Sequence, residues 1–201
     1  MSIDEWVNFL NWLVYGGGAL LAIGLWRKQG KKTGGVDVSD SQPFDSIKQQ
    51  FQADQYAPYS AEATQLFATA APYAKVSPAW STQRQLHRLL EKESAGWVGI
   101  PNYTYGQGKA GQRHGSDISK PRNRARWVNV HAELKQGIIG AKSTATGLGQ
   151  LLLGNTKIYY PEKELGIGDA FNEAVGFLSY IKDRYGSPAA ALDFHDRQGW
   201  Y

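Results

Sequence analysis

An apolar stripe that ends in a glutamate constrains this chain more than any other feature. Leu86, Leu89 and Leu90 precede Glu93 at helical spacing, so a helix places all four on one face. Burial disfavours a charged carboxylate and raises its pKa, and a glutamate with a raised pKa can donate a proton near neutral pH. Glu91 points away from that face. The pattern predicts a helix that presents Glu93 as a candidate acid; the alternative is a partly exposed glutamate at a helix end.

A long hydrophobic run lies near the N-terminus. Residues 6–26 are almost free of charge, begin and end with tryptophan, and are followed by Arg27 and Lys28. About 20 apolar residues are enough to span a bilayer, and tryptophan favours its interfaces. A signal peptide would carry its positive charge before the run. We therefore expect residues 1–29 to be a transmembrane anchor with a basic flank, rather than a buried or interfacial helix.

The basic flank also predicts the orientation of the anchor. Positive residues stay on the cytoplasmic side, which places everything after the anchor on that side. Residues 30–75 are expected to form a linker with short helices, one within residues 43–54 and one from Ser60 to about Ala71. Thr82 and Gln85 have the spacing of a capping box and are predicted to begin the Glu93 helix. Residues 76–201 remain for the main domain.

Composition excludes several kinds of chemistry. The 201 residues include no cysteine, which rules out disulfides, zinc–thiolate sites and thiol catalysis. His131 and His195 lack metal-ligand spacing, and we expect no metal and no cofactor. The net charge of +4 and the pI of about 9.2 favour anionic partners.

Two further motifs lie downstream of Glu93. Glu93-Ser94-Ala-Gly96 is the first motif, and the second motif is Ser143-Thr-Ala-Thr-Gly-Leu-Gly-Gln150, whose small residues suit a tight turn that enters buried structure. The third motif has Asn172, Gly176 and Tyr180 at four-residue spacing on a predicted helix. Together with Glu93-Ser94-Ala-Gly96, these motifs resemble the lysozyme-like lytic transglycosylase family over about residues 78–201. The C-terminal ending is similar to those of phage-borne members.

The resemblance implies a mainly α, lysozyme-like domain that cleaves peptidoglycan glycan strands. Glu93 would protonate the bond between N-acetylmuramic acid and N-acetylglucosamine, then accept the proton of the 6-hydroxyl, and so form a 1,6-anhydro product. No second carboxylate is needed, unlike in ordinary glycoside hydrolases. Substrate contacts are expected at the following residues: Ser94, Gln150, Tyr159, Tyr160 and Tyr180.

The chain departs from the family in two places. Residues of about 100–140 form an insertion between the glutamate and the second motif, and the family's Ala-Tyr-Asn-Ala-Gly block is missing. Ala191-Leu-Asp-Phe-His195 stands in roughly that place. The tyrosine that would orient Glu93 is therefore open among Tyr159, Tyr160 and Tyr180. Glu133 and Asp117 in the insertion are the candidates for a second carboxylate, which would make the enzyme a hydrolase.

The insertion carries a basic segment at residues 106–126. This segment contains six lysines and arginines but only one aspartate, and its glycines and Pro121 predict a loop. It is either a solvated surface loop or a site for an anionic wall polymer or DNA.

These features combine into one hypothesis. A membrane-anchored domain on the cytoplasmic side never meets its own cell's wall, so we expect a virion-associated enzyme that opens the host wall during genome delivery. The alternatives are a structural or DNA-translocation protein with an inactive wall-binding domain, a hydrolytic muramidase, and a bacterial transglycosylase with a periplasmic domain.

Overall fold

The structure is a computed structural model that describes residues 41–102, 114–115, 117–138 and 143–199. The α-helices in these ranges are α1 (Ser41–Lys48), α2 (Ala61–Ala74), α3 (Arg84–Glu93), α4 (Trp127–Lys135), α5 (Leu153–Tyr159), α6 (Ala170–Tyr185) and α7 (Pro188–Gln198). Short 3-10 helices cover Pro78–Thr82, Pro121–Arg126 and Lys163–Gly166. Helix makes up 63% of the described residues and no strand occurs among them, so the predicted mainly α class is confirmed.

Helix α6 is the centre of the domain. Its residues from Ala170 to Leu178 are all buried, and it packs against α1, α2, α5 and α7. Asp169 caps its start by accepting a hydrogen bond from the Asn172 N–H at 2.8 Å, and Gly186 ends it in a left-handed conformation. The N-terminal half of α6 is buried on every side, so other elements must surround it.

Two apolar clusters form the core. The larger one joins α2, α3 and α6 and includes the three leucines of the Glu93 stripe. The smaller one joins α4 to α5 and α6 through Trp127, Val130 and Leu134, which have helical spacing within the insertion. These three side chains give the insertion a core contact of its own.

Several predicted helix boundaries differ from the structure. α2 has Ser60 as its N-cap, as expected, but continues past Pro72 to Ala74. The capping box at Thr82 is wrong: Gln83 is the N-cap of α3 and makes no side-chain cap bond. Thr82 belongs instead to the preceding 3-10 turn, where its Oγ1 donates to the Ala79 carbonyl.

The basic segment is not a simple loop where the structure describes it. Residues Pro121–Arg126 form a 3-10 helix that leads directly into α4. Pro121 lies in the first turn, where its fixed φ suits a helix and its missing N–H costs nothing. Residues 106–113 of the segment lie outside the described ranges.

No helix in the described ranges is long and apolar enough to cross a membrane. The anchor predicted at residues 6–26 lies outside those ranges.

Gly176 lets α6 approach the Tyr160 ring. A Cβ built at Gly176 would overlap that ring, and Tyr160 itself is only 3% exposed. Tight cores lose stability when an extra methyl group is forced in. Gly154 in α5 is the matched control, because a Cβ there meets nothing within 4 Å.

We predict opposite effects of the same substitution at these two glycines. Gly176→Ala should lower the free energy of unfolding by about 1–3 kcal/mol through overpacking. Gly154→Ala should raise it by about 0.5–1 kcal/mol through helix propensity. Urea denaturation followed by circular dichroism measures both. Equal effects at the two positions would contradict the packing described for Tyr160.

Candidate active site

Glu93 lies at the last position of α3, as the leucine stripe predicts. The three leucines are fully buried, whereas the Glu93 side chain keeps 15% of its exposure. Burial raises the pKa of Glu93 to about 7, and the neighbouring Lys92 charge opposes that rise. Glu91 behaves as expected of a solvent-facing residue and pairs with Arg88 at 2.6 Å. Glu93 is therefore a carboxyl that can hold or release a proton near neutral pH.

Ser94 ties the Glu93 helix to the second motif. Its Oγ donates to the Leu148 carbonyl at 2.9 Å and accepts from the Gly96 N–H at 3.1 Å. Ser94 is buried. The Ser94 hydroxyl is therefore hydrogen-bonded within the protein, and its buried position does not support the predicted substrate contact.

Glu173 binds the second motif and the loop that follows the first one. Its carboxyl accepts hydrogen bonds from the backbone N–H groups of Gly99, Leu148 and Gly168, at 2.9–3.1 Å. The side chain is completely buried. Burial raises the pKa of Glu173 to about 7, and the three N–H donors act in the opposite direction. Glu173 was not a candidate from the sequence, because a glutamate in an otherwise apolar helix gives no sign of its partners.

Gly147 makes room for that carboxyl. It has a φ of 82°, and a Cβ at this position would overlap the Glu173 carboxyl group. Only glycine meets both demands without strain. Gly147 of the second motif is therefore explained by the buried Glu173, which lies next to Asn172 of the third motif.

Gln150 closes the turn of the second motif. Its Nε2 donates to the carbonyls of Ile100 and Gly147, both at 2.9 Å. The side chain is half-buried. The amide nitrogen of Gln150 therefore binds backbone carbonyl groups, and the amide oxygen is the side-chain atom that remains for a ligand.

The ends of the insertion lie beside this turn. Pro101 pairs with Thr146 in an antiparallel bridge, and the Asn102 N–H donates to the Ala145 carbonyl at 2.7 Å. The insertion therefore begins and ends at the same place in the domain. Because its two ends are already in contact, the insertion adds little loop-closure entropy, and the first and second motifs keep their contact.

The three candidate tyrosines occupy different positions. Tyr160 is a core residue whose ring packs against Gly176. Tyr180 is also buried, and its ring meets that of Tyr159 edge-on with the centroids 5.5 Å apart. Tyr159 and Tyr160 both line a cavity of about 520 Å³ that also includes Lys157 and Lys182. Of the three tyrosines, Tyr159 is the one that is not buried.

Two residues that the sequence analysis left without a role lie beside Glu93. His195 Nε2 is 3.1 Å from Glu93 Oε1. Burial raises the pKa of Tyr185, and the Glu93 charge adds to that rise. Tyr185 packs against Tyr180 and Phe194. The contact of His195 with Glu93 has no sequence signature, because the two residues are 102 positions apart.

The carboxylates proposed for a hydrolase have partners of their own. Glu133 Oε1 is 3.0 Å from His114 Nε2. Asp117 binds Arg122 at 2.9 Å, and hydrogen bonds from Arg122 and Asn123 lower the pKa of Asp117. A hydrolase needs its second carboxylate as a base or nucleophile, and both of these carboxylates are already bound to side chains of the insertion.

Two exposed arginines of the basic segment are also paired. Arg122 binds Asp117, and Arg124 binds Asp54. A second cavity, of about 360 Å³, lies between Arg124, His131 and Asp169. Glu93 lines neither this cavity nor the one at Tyr159.

Comparisons with protein-family models, with curated proteins and with solved structures found no match to this chain. The assignment of a function therefore depends on the geometry of the site.

We predict that Glu173 makes stability depend on pH. An acid whose pKa is raised from about 4.5 in the unfolded chain to about 7 stabilises the fold at low pH, and this contribution is lost as the pH rises through 7. Glu173→Gln should lower the free energy of unfolding by about 1–3 kcal/mol at pH 8, because an amide group would face N–H donors.

The deficit of Glu173→Gln should grow by on the order of 2 kcal/mol at pH 5, since only the wild type gains the proton. Urea titrations at the two pH values measure it, with Glu91→Gln as the exposed control. A deficit independent of pH would mean that Glu173 keeps an ordinary pKa.

Proposed function

We propose that the protein is a peptidoglycan lytic transglycosylase with a lysozyme-like helical domain, in which Glu93 is the acid and then the base. One observation carries the proposal: the three motifs that resemble the family are in direct contact. Ser94 of the first motif binds Leu148 of the second across 54 residues. Glu173, beside Asn172 of the third motif, binds Leu148 again. If the three motifs matched the family only by chance, nothing would require them to meet in the fold. Here they meet beside Glu93, whose pKa is raised.

The pKa of Glu93 suits both halves of the proposed reaction. At a pKa of about 7, protonated and ionised forms are both available at neutral pH. The protonated carboxyl gives its proton to the glycosidic oxygen while the N-acetyl group assists at the anomeric carbon. The resulting carboxylate takes the proton of the muramic 6-hydroxyl as that oxygen closes the 1,6-anhydro ring. The proton count balances, and no water is consumed.

The surroundings of Glu93 favour this single-carboxylate route over hydrolysis. Retaining and inverting hydrolases place a second carboxylate at a fixed separation from the acid. The side chain within hydrogen-bond distance of Glu93 is a histidine, and the two carboxylates of the insertion are bound to His114 and Arg122. We assign substrate contacts to Tyr159 and to the Gln150 amide oxygen, while Tyr180 supports Tyr159 from behind.

The cellular setting is part of the same proposal. A transmembrane anchor at residues 6–26 with a basic flank places the domain on the cytoplasmic side, where its own cell has no wall. A virion that carries the anchored enzyme would bring it to the wall of the next host during genome delivery. We therefore propose a single-pass membrane protein of a virion.

The alternative is a structural or DNA-translocation protein that binds through its basic segment. Its support is the exposed position of Arg122 and Arg124. Both arginines already neutralise carboxylates of this chain, so fewer positive charges remain for phosphates. A raised pKa at Glu93 has no purpose in this alternative, and we rank it second.

We predict that Glu93→Gln abolishes the cleavage of purified peptidoglycan by the full chain in detergent. The amide keeps the shape of the side chain but cannot transfer the proton, so activity should fall by at least about 100-fold. Mass spectrometry of the wild-type digest should show anhydro-muropeptides. Glu91→Gln on the same helix is the control and should cut normally.

Other products would point elsewhere. Muropeptides with reducing ends would identify a hydrolase and direct attention to Glu133 and Asp117. No product from a folded wild-type protein would contradict the enzymatic proposal and favour the structural one.

A further inference from the structure

The cavity of about 520 Å³ at Tyr159 carries an excess of positive charge. Four lysines and one carboxylate line it: Lys75, Lys157, Lys163, Lys182 and Asp183. The lysines come from four segments, namely the C-cap of α2, helix α5, the 3-10 helix that follows α5, and the last turns of α6. The fold therefore brings like charges from distant parts of the chain to one concave surface, and such a surface attracts anionic ligands.

Three of these lysines are available to a ligand. Within the described part of the chain, the side chains of Lys75, Lys157 and Lys163 form no ion pair or hydrogen bond, and all three residues are exposed. Lys182 differs, because its Nζ donates to the Ala74 carbonyl at 3.1 Å and lies 3.3 Å from Asp183. Lys182 thus satisfies the end of α2, and the charges of the other three lysines serve no described group of the protein.

Two of the available lysines have a strained backbone. Lys75 has a φ of 55° and Lys163 a φ of 52°, in the left-handed region that glycine normally occupies at the end of a helix. A side chain at such a position costs free energy, and strain of this kind is typical of ligand sites. Closing the turns does not explain why lysine stands at these two positions.

The wall of the cavity is largely apolar. Tyr73 and Ile158 expose 40% and 71% of their surface, and Tyr159 and the buried Val175 lie beside them. Ser179 adds a hydroxyl group that has no hydrogen-bond partner among the described residues. The cavity therefore offers contact surface to methyl groups and, close by, positive charges and a hydroxyl donor to carboxylates.

We propose that this cavity binds the peptides attached to the muramic acid units of the glycan strand, and that its lysines pair with the peptide carboxylates. This inference rests on the proposed function, which already assigns Tyr159 to the substrate. The peptides are short and rich in alanine and carry several carboxylates, so they match both the apolar wall and the charge. Lysines act as separate point charges, which suits carboxylates that are spaced along a peptide.

The test is a binding measurement with the full-length Glu93→Gln chain in detergent, because this variant leaves the strand uncut. The probes are soluble glycan strands with their peptides, and the same strands after an amidase has removed the peptides. The stripped strand keeps one carboxylate on each muramic acid, so the comparison isolates the peptide. Strands with peptides should bind roughly 10-fold more tightly, since each exposed ion pair adds a modest gain and three lysines act together. Equal binding of the two strands would overturn the proposal.

A pair of matched double variants tests the lysines. In the Glu93→Gln background, Lys75→Gln with Lys163→Gln should remove most of the preference for strands with peptides. Arg84→Gln with Lys135→Gln is the control, because it removes the same charge from residues that do not line the cavity. An equal loss in both double variants would mean that only the overall charge matters and would overturn the proposal.

Competition identifies the ligand chemistry. The free peptide should displace the intact strand, whereas inorganic phosphate at the same concentration should not. Equal displacement by phosphate would show an unspecific anion site and contradict the assignment to peptides.

This inference and the proposed function fail in different ways. A wild-type protein that forms no anhydro-muropeptides contradicts the enzymatic proposal, but the binding test still applies because it uses a variant that does not cut. If the wild type cuts strands while binding ignores their peptides, only the assignment of the cavity is wrong.

Discussion

The arrangement of the whole site depends on one buried carboxyl. Glu173 has no exposure to solvent and is satisfied by three backbone N–H groups from three separate loops. Those loops follow α3, carry the second motif, and precede α6. Burying the Glu173 carboxyl without hydrogen-bond donors would cost free energy, and so would burying the three N–H groups without an acceptor. The carboxyl and the N–H groups therefore stabilise each other and hold the three loops together at one point.

Burial acts on two glutamates with different results. Both Glu173 and Glu93 have a pKa of about 7. Glu173 is enclosed and faces only N–H donors, so its role is to connect segments. Glu93 keeps some exposure, and its near neighbour is an imidazole. In our proposal, Glu93 is the reactive acid because it keeps access to substrate, whereas Glu173 has none and only connects segments.

The departures from the family pattern have physical explanations. The insertion begins and ends at the bridge between Pro101 and Thr146, so its length leaves the contact between Ser94 and Leu148 intact. Its helix α4 brings Trp127 and Leu134 into a core cluster of their own. At the C-terminus, α7 supplies His195 where a tyrosine block was expected.

The sequence alone determined the local features of the protein. The leucine spacing gave α3 with Glu93 at its end, because helical periodicity is a property of neighbouring residues. Ser60 likewise marked the start of α2. The prediction of a capping box at Thr82 was wrong because Thr82 belongs to a 3-10 turn, which Ser77 caps and Pro78 begins. Only the tertiary structure revealed the contacts of Glu173, His195 and Ser94. Their most distant partners lie 74, 102 and 54 residues away in the chain, respectively, and no local pattern encodes which distant backbone group or side chain a buried polar atom will meet.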